Sequence, residues 1–312
     1  MKTIIAHLLV SAAGMAAAVA DEIPRQRALQ AGDGTPVALW QPSPRPNKPY
    51  IAQLYAPGPR PVALLDDSPP DHFHHHGLMF AISVDGTDFW TEKKSGGSFG
   101  RQVPVKTDPA TDASGFTRRL QWVAPAGEVL LEETRSVAVR AAGEGDGAVH
   151  WLDWTSVLTP VAGREAVELS GHHYFGLGMR FLPAWSGKGT FHWQDVAGQK
   201  VVRGDEKLTP GQWCAVRGAV DGRPTTVLLI DGPGNARPVR WFTMSKPFCY
   251  LSATLGLDTE PAGLKAGESW TLRYGVAVMT GNADRERLDK LAREWLARVA
   301  KSQTKPQPTN KP

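Results

Sequence analysis

The sequence predicts an all-β fold, a large antiparallel β-sandwich with one C-terminal α-helix. Three observations carry this. Between residues 21 and about 280, short runs alternate apolar and polar residues with a period of two. Most of the 32 glycines and 25 prolines punctuate those runs. Only past residue 282 does the apolar period lengthen to that of a helix. There is no βαβ rhythm and no repeat of fixed period, so one domain over 21–301 is expected.

Taken in order, the chain opens on a secretory signal. Lys2 is followed by an apolar, alanine-rich stretch from about Leu8 to Val19, then by Ala18-Val19-Ala20 and the polar Asp21-Glu22. This A-x-A pattern predicts cleavage after Ala20, with residues 1–20 removed and the protein periplasmic or secreted. The stretch is too short for a spanning helix, which needs about 20 apolar residues, and no other segment predicts a membrane span. The proline-rich "WQPSPRPNKPY", 40–50, reads as a loop between strands.

Asp85-Gly86 is a hairpin signal. "EVLLEETRSVAVR" is a long strand. In "AVHWLDWTSVLTP", His150, Leu152, Trp154, Ser156 and Leu158 fall on one face and Val149, Trp151, Asp153, Thr155 and Val157 on the other. "PTTVLLIDGPG" is a buried strand ending in a turn, and "SWTLRYGVAVMTG" alternates again. Trp40, Trp122, Trp151, Trp154 and Trp270 are expected in the core. A helix over 283–300 should be capped by Asn282, with Asp284 in its first turn. Its stripe of Leu288, Leu291, Trp295 and Val299 should lie on the sandwich. The remainder, 302–312, has no apolar residue and should be a disordered tail.

Composition narrows function. The formal charge is +4, and setting aside Lys2, Lys301, Lys305 and Lys311 brings it to zero. No basic stripe remains to neutralise phosphates, so no nucleic-acid partner is expected. P-loop and H-E-x-x-H patterns are absent. Cys214 and Cys249 are compatible with a disulfide or with two buried thiols beside Trp213, Phe248 and Tyr250.

Chemistry concentrates in three places. "DHFHHHGL" crowds His72, His74, His75 and His76 into five positions. If the segment is extended, His72, His74 and His76 share a face and His75 points away. Such imidazoles suit a metal such as zinc, an acid/base site or a structural turn. The glutamate that a cupin-type site would place four or five residues after His74 is missing, since Leu78 and Met79 stand there. "SGHHYFGLGMRF" offers His172 and His173 beside Arg180, whose fork suits a carboxylate or polar sugar, or an acidic partner within the fold. "VDGTDFWTEKKSGG" should place Asp88, Trp90 and Glu92 on one strand face, carboxylates beside an aromatic plane.

The stretch "SPPDHFHHHGLMFAISVDGTDFW" resembles the signature of the PmoA-like family, D-H-P-H-H-R-G-L followed by N-G-x-D-F-W. Asp71, His72, His74, His75, Gly77, Leu78, Gly86, Asp88, Phe89 and Trp90 match. Phe73 stands where proline is usual and His76 where arginine is usual. "YFGLGMRF" and "LRYGVAVMTG" are also similar. The methane monooxygenase subunit that shares the family's label is built from spanning helices, so its activity is not implied. The resemblance implies a galactose-mutarotase-like supersandwich and, by analogy, a sugar-related role.

The sequence therefore points to an exported protein acting on a saccharide or glycoside. His75 or His172 would transfer the proton, with Asp88 or Glu92 as carboxylate partner, and His72, His74, His76, His173, Arg180 and Trp90 would hold the ligand. Noncatalytic carbohydrate binding and a histidine-ligated metal are the alternatives. The two histidine segments should meet in one site. The residues leave open any cofactor or metal.

Overall fold

A computed structural model describes residues 26–42, 47–92, 99–105 and 112–303. The expected signal peptide and most of the expected tail lie outside them. Two antiparallel sheets face one another across a shared apolar core, as the alternation predicts.

The first sheet has ten strands. Its order is Arg27–Gln30, Pro36–Gln41, Tyr50–Ala56, Leu78–Ala81, Gly176–Arg180, Tyr250–Thr254, Arg240–Met244, Glu206–Pro210 and Lys200–Arg203, with Val62–Ala63 paired to Tyr50–Ala56. The second has eight, in the order Thr190–Trp193, Trp213–Val220, Arg223–Asp231, Trp270–Thr280, Val149–Pro160, Val129–Ala142, Gly115–Val123 and Arg101–Pro104. A four-stranded sheet adds Ala262–Lys265, Ala166–Ser170, Ser83–Val84 and Thr87–Asp88. Its hairpin turns at Asp85 (φ 46°) and Gly86 (φ 73°), the left-handed pair that the Asp-Gly signal calls for.

The period of two sorts the side chains of Val149–Pro160 as read from sequence. Leu152, Trp154 and Leu158 enter the inter-sheet core, while Val149 and Trp151 join a separate cluster on the outer face. The helix Arg285–Gln303 covers that face with Leu288, Leu291 and Trp295, and Val299 packs alongside. Burying a leucine there contributes ~1.5–3 kcal/mol. Gly275 makes the seat, since a Cβ on it would lie 2.4 Å from the Trp295 ring. Trp295 Nε1 and Arg298 Nη2 both donate to Asp153 Oδ1, at 2.6 and 2.7 Å.

Three expectations are corrected. The cap is Asp284, whose Oδ1 accepts the Arg287 N–H at 2.9 Å, and not Asn282. The helix starts two residues later than expected and continues through 302 and 303. Trp40, Trp122, Trp151 and Trp154 are buried, but Trp270 is only half-buried. Cys214 and Cys249 are free thiols in the core.

One polar cluster crosses the core between the sheets. Arg135 donates to Glu133 from Nε and Nη2 (2.8 Å each), to Gln102 (2.9 Å) and to the Pro49 carbonyl (2.8 Å). Trp122 and Ser156 donate to the same Glu133 carboxylate, at 2.9 and 2.6 Å. Each guanidinium nitrogen of Arg135 and each oxygen of Glu133 has a partner, which is what makes burial of the charges tolerable.

Candidate functional site

The outer face of the ten-stranded sheet carries the site. Along Gly176–Arg180 and Tyr250–Thr254, Arg180 pairs in register with Tyr250 and Gly178 with Ser252. Gly178 is required at its position, because a Cβ there would lie 2.1 Å from the Tyr250 hydroxyl. The tyrosine thus lies across the sheet and forms part of a pocket wall.

The histidine loop folds over this face, and it is a turn rather than an extended strand. The His72 N–H donates to the Pro69 carbonyl at 3.2 Å, and the His75 N–H to the His72 carbonyl at 2.8 Å. The turn changes the expected sharing of faces. His72 and His75 stack at 4.9 Å, and His74 meets both edge-on at 5.6 and 4.6 Å. His76 departs from the other three and is buried behind them.

Arg180 holds the loop down. Its Nη2 donates to both Asp71 oxygens, at 3.0 and 2.9 Å, and its Nη1 lies 3.4 Å from His75 Nδ1. Its guanidinium carbon sits 4.0 Å over the Phe248 ring. The arginine therefore meets an acid within the fold. Burial works to raise the Asp71 carboxyl, but hydrogen bonds from Arg180 and His72 outweigh it and hold it at about 2.

A pocket of about 260 Å³ opens beside this loop. His72, His74, His75 and Tyr174 line one part, Arg203 and Glu206 another, and Phe242, Met244, Phe248 and Tyr250 much of the rest. The size lies just under the roughly 300–1,000 Å³ of sites for drug-sized ligands, so it suits a molecule of about one ring. Burial, followed by the charge of His72, pushes the His74 imidazole down to about 4. Burial, followed by His74 and His72, takes His75 down to about 2. Both rings are neutral at pH 7, each with one ring nitrogen that donates a hydrogen bond and one that accepts. Larger, more open grooves of about 870 and 690 Å³ flank the helix, but none of the histidine or aromatic pocket groups lines them.

The two histidine segments do meet, through Arg180 and Tyr174. Tyr174 stacks on His172 (5.6 Å, 8° between planes) and meets His173 edge-on at 5.1 Å. His173 Nε2 lies 3.2 Å from Glu206 Oε2 at the pocket wall. His172 itself is exposed on the outer side of Tyr174 and does not line the pocket.

The remaining candidates sit elsewhere. Asp88 does not share a strand face with Trp90 and Glu92, because the strand ends at Asp88. Its Oδ1 instead accepts the N–H groups of Trp90 and Thr91, at 2.7 and 3.0 Å. Trp90 is buried beneath the pocket, stacked on Phe175 at 5.1 Å and 13°. Glu92 is buried with Lys48 and His76. Sequence reasoning missed Tyr174, Arg203, Glu206, Phe242, Phe248 and Tyr250. Only Tyr174 had a local signal, being next to His173.

Among the described residues, no group of three or more His, Cys, Asp or Glu is placed to hold a metal ion. The three clustered imidazoles contact one another through their rings. No helix among those residues is long and apolar enough to cross a membrane.

A sequence-family profile described as a family of unknown function (DUF6807) matches residues 30–293. The PmoA-like name attaches only through the resemblance already described. No curated protein matches the chain. Among solved structures, the chain is similar to a putative aldose 1-epimerase from Escherichia coli K12, at 10% identity and a TM-score of 0.48, covering 82% of this chain and 99% of that one. It is also similar to a galactose mutarotase related enzyme from Lactobacillus acidophilus, at 10% identity and a TM-score of 0.43, covering 84% and 99%. An α-galactosidase from Geobacillus stearothermophilus, solved with raffinose, matches at 11% identity and a TM-score of 0.40, covering 83% of this chain and 41% of that one.

Proposed function

We propose that this chain, which belongs to the family of unknown function (DUF6807), acts on a saccharide by proton transfer at the pocket of His72, His74 and His75. One observation carries the reading: two neutral imidazoles and the Glu206 carboxylate line the same ring-sized, aromatic-walled pocket. Aromatic faces suit the C–H faces of a pyranose, while His, Tyr and Glu groups suit its hydroxyls.

His74 is the half-buried imidazole and acts as general base on a sugar hydroxyl. Glu206, beside His173 and Arg203, is the carboxylate partner. These two replace His172, Asp88 and Glu92, which lie outside the pocket lining. His75, held beside Arg180, supplies a second polar contact. Export to the periplasm or medium remains part of the reading and rests on the A-x-A pattern.

The test is turnover, followed by polarimetry and NMR, on a panel of reducing sugars, glycosides and oxidised glycosides. Removing an acid/base group should lower the rate by ~10²–10⁴. His74→Ala and Glu206→Gln should do so with melting temperature nearly unchanged. Saturable binding of a sugar without turnover would replace catalysis by noncatalytic recognition. Neither binding nor turnover across the panel would overturn the reading.

A further inference from the structure

Behind the pocket lies a chain of ionisable groups that the proposed chemistry does not use. Lys48 is fully buried, its Nζ donates to the Trp90 carbonyl at 3.0 Å, and it pairs with Glu92 Oε1. Glu92 Oε2 lies 3.1 Å from His76 Nε2. On its other side, His76 Nδ1 lies 2.9 Å from Ser68 Oγ and 3.2 Å from Asp67 Oδ1. Tyr50 stacks on the His76 ring at 4.6 Å and donates its hydroxyl to Asp67 Oδ2 at 3.0 Å.

This chain is anchored at both ends. The Arg135 guanidinium, deep between the sheets, holds the carbonyl of Pro49, next to Lys48. At the other end, the Ser68 N–H donates to the His75 carbonyl at 2.9 Å, which closes the base of the histidine loop. A continuous polar path thus runs from the core to the backbone that carries the pocket imidazoles.

Packing does not account for it. Apolar side chains would fill the same volume without the cost of desolvating a lysine and a glutamate, and buried ion pairs are often no more stable than such replacements. What the ionic chain supplies is a fixed geometry and a fixed local charge.

We propose that Lys48, Glu92 and His76 are positioning residues for the pocket. They fix the histidine loop from below and set, through one positive and one negative buried charge, the electrostatic surroundings of His74. Naming His74 as the base rests on the function proposed above, but the electrostatic part does not.

The groups around His74 bear on this. His72, His75 and His76 surround it from its own loop. Lys48 and Glu92 act from behind, and Tyr174, Arg203, Glu206 and Tyr250 line the same pocket. After burial and His72, the positive charge of Lys48 disfavours the His74 imidazolium, and the negative charge of Glu92 favours it. The two act in opposite senses.

The test is an NMR pH titration of histidine-labelled full-length protein. Lys48→Met leaves Glu92 alone behind His74 and should raise its midpoint. Glu92→Gln leaves Lys48 alone and should lower it. Each shift should be on the order of half a unit to one unit. The double variant, with neither buried charge left uncompensated, should return the midpoint close to the wild-type value. It also serves if a single variant fails to fold. Opposite shifts restored in the double variant support the proposal. Shifts of the same sign, no shift in a folded single variant, or a double variant displaced as far as either single would overturn it. If the titrations behave as stated and no sugar is bound or turned over, the positioning role stands and the saccharide reading falls.

Discussion

Acidification should destabilise this protein through His75, by an amount that can be worked out. The side chain is 6% exposed, and its imidazolium forms in the folded state only near about pH 2. In the unfolded chain it forms near about 6.5. Between these values the unfolded state binds more protons, so stability falls as pH falls, and the contribution is fully present above about 6.5. At pH 5 the unfolded histidine is mostly protonated and the folded one is not, a difference of ~1.5 pH units, or ~2 kcal/mol. That is a large fraction of the ~5–15 kcal/mol that holds a typical domain folded. The assay is urea unfolding followed by tryptophan fluorescence at pH 7.5 and pH 5, for the wild type and His75→Gln. Other titrating groups contribute to both proteins. The wild type should lose ~2 kcal/mol more than the variant between the two pH values. Equal losses, within about 0.5 kcal/mol, would refute the reasoning that buried neutral His75 is what acid attacks.

Other outcomes follow from the same geometry. Gly178→Ala places a methyl group where the Tyr250 hydroxyl lies. It should cost ~1–3 kcal/mol in denaturant unfolding and weaken binding of any sugar that the wild type binds. Gly275→Ala intrudes on the Trp295 ring and should loosen the helix, read as a shift in tryptophan emission and a lower melting temperature, while leaving the pocket histidine titrations unchanged. Mass spectrometry of the protein exported by its host should find Asp21 as the first residue, and a retained Met1 would exclude the cleavage.

The fold was legible in the sequence because its signals are local. Strand alternation in 149–158 and the stripe from Leu288 to Val299 each depend on neighbours within a few residues. The Asp85-Gly86 turn was legible for the same reason. The site was legible only in part. The crowding of histidines marked the loop, but its period could not show that Pro69 and His72 carbonyls close two turns, which send His76 behind the pocket and gather the other three in front. Asp88 and Glu92 looked alike as carboxylates two strand steps apart. A turn at Asp88 and a buried lysine 44 positions before Glu92 gave them unrelated surroundings. Glu206, Phe242 and Tyr250 enter through strand neighbours that no short-range pattern encodes.

The pocket has no local version of itself. Its lining comes from the 72–75 loop, from Tyr174, from Arg203 and Glu206, and from the strand that ends at Met244, the one that begins at Tyr250 and the turn between them. No single hairpin contains these pieces, so they come together only when long stretches of chain have closed. Binding competence should therefore appear late in refolding, and any species that binds will already have most of its ten-stranded sheet in register. A molecule held in the pocket would act as a staple across distant strands. By mass action, about a hundredfold excess over its dissociation constant would add ~2.7 kcal/mol to the folded state. Thermal shift in the presence of candidate sugars then becomes a screen for the ligand as well as a measure of stability.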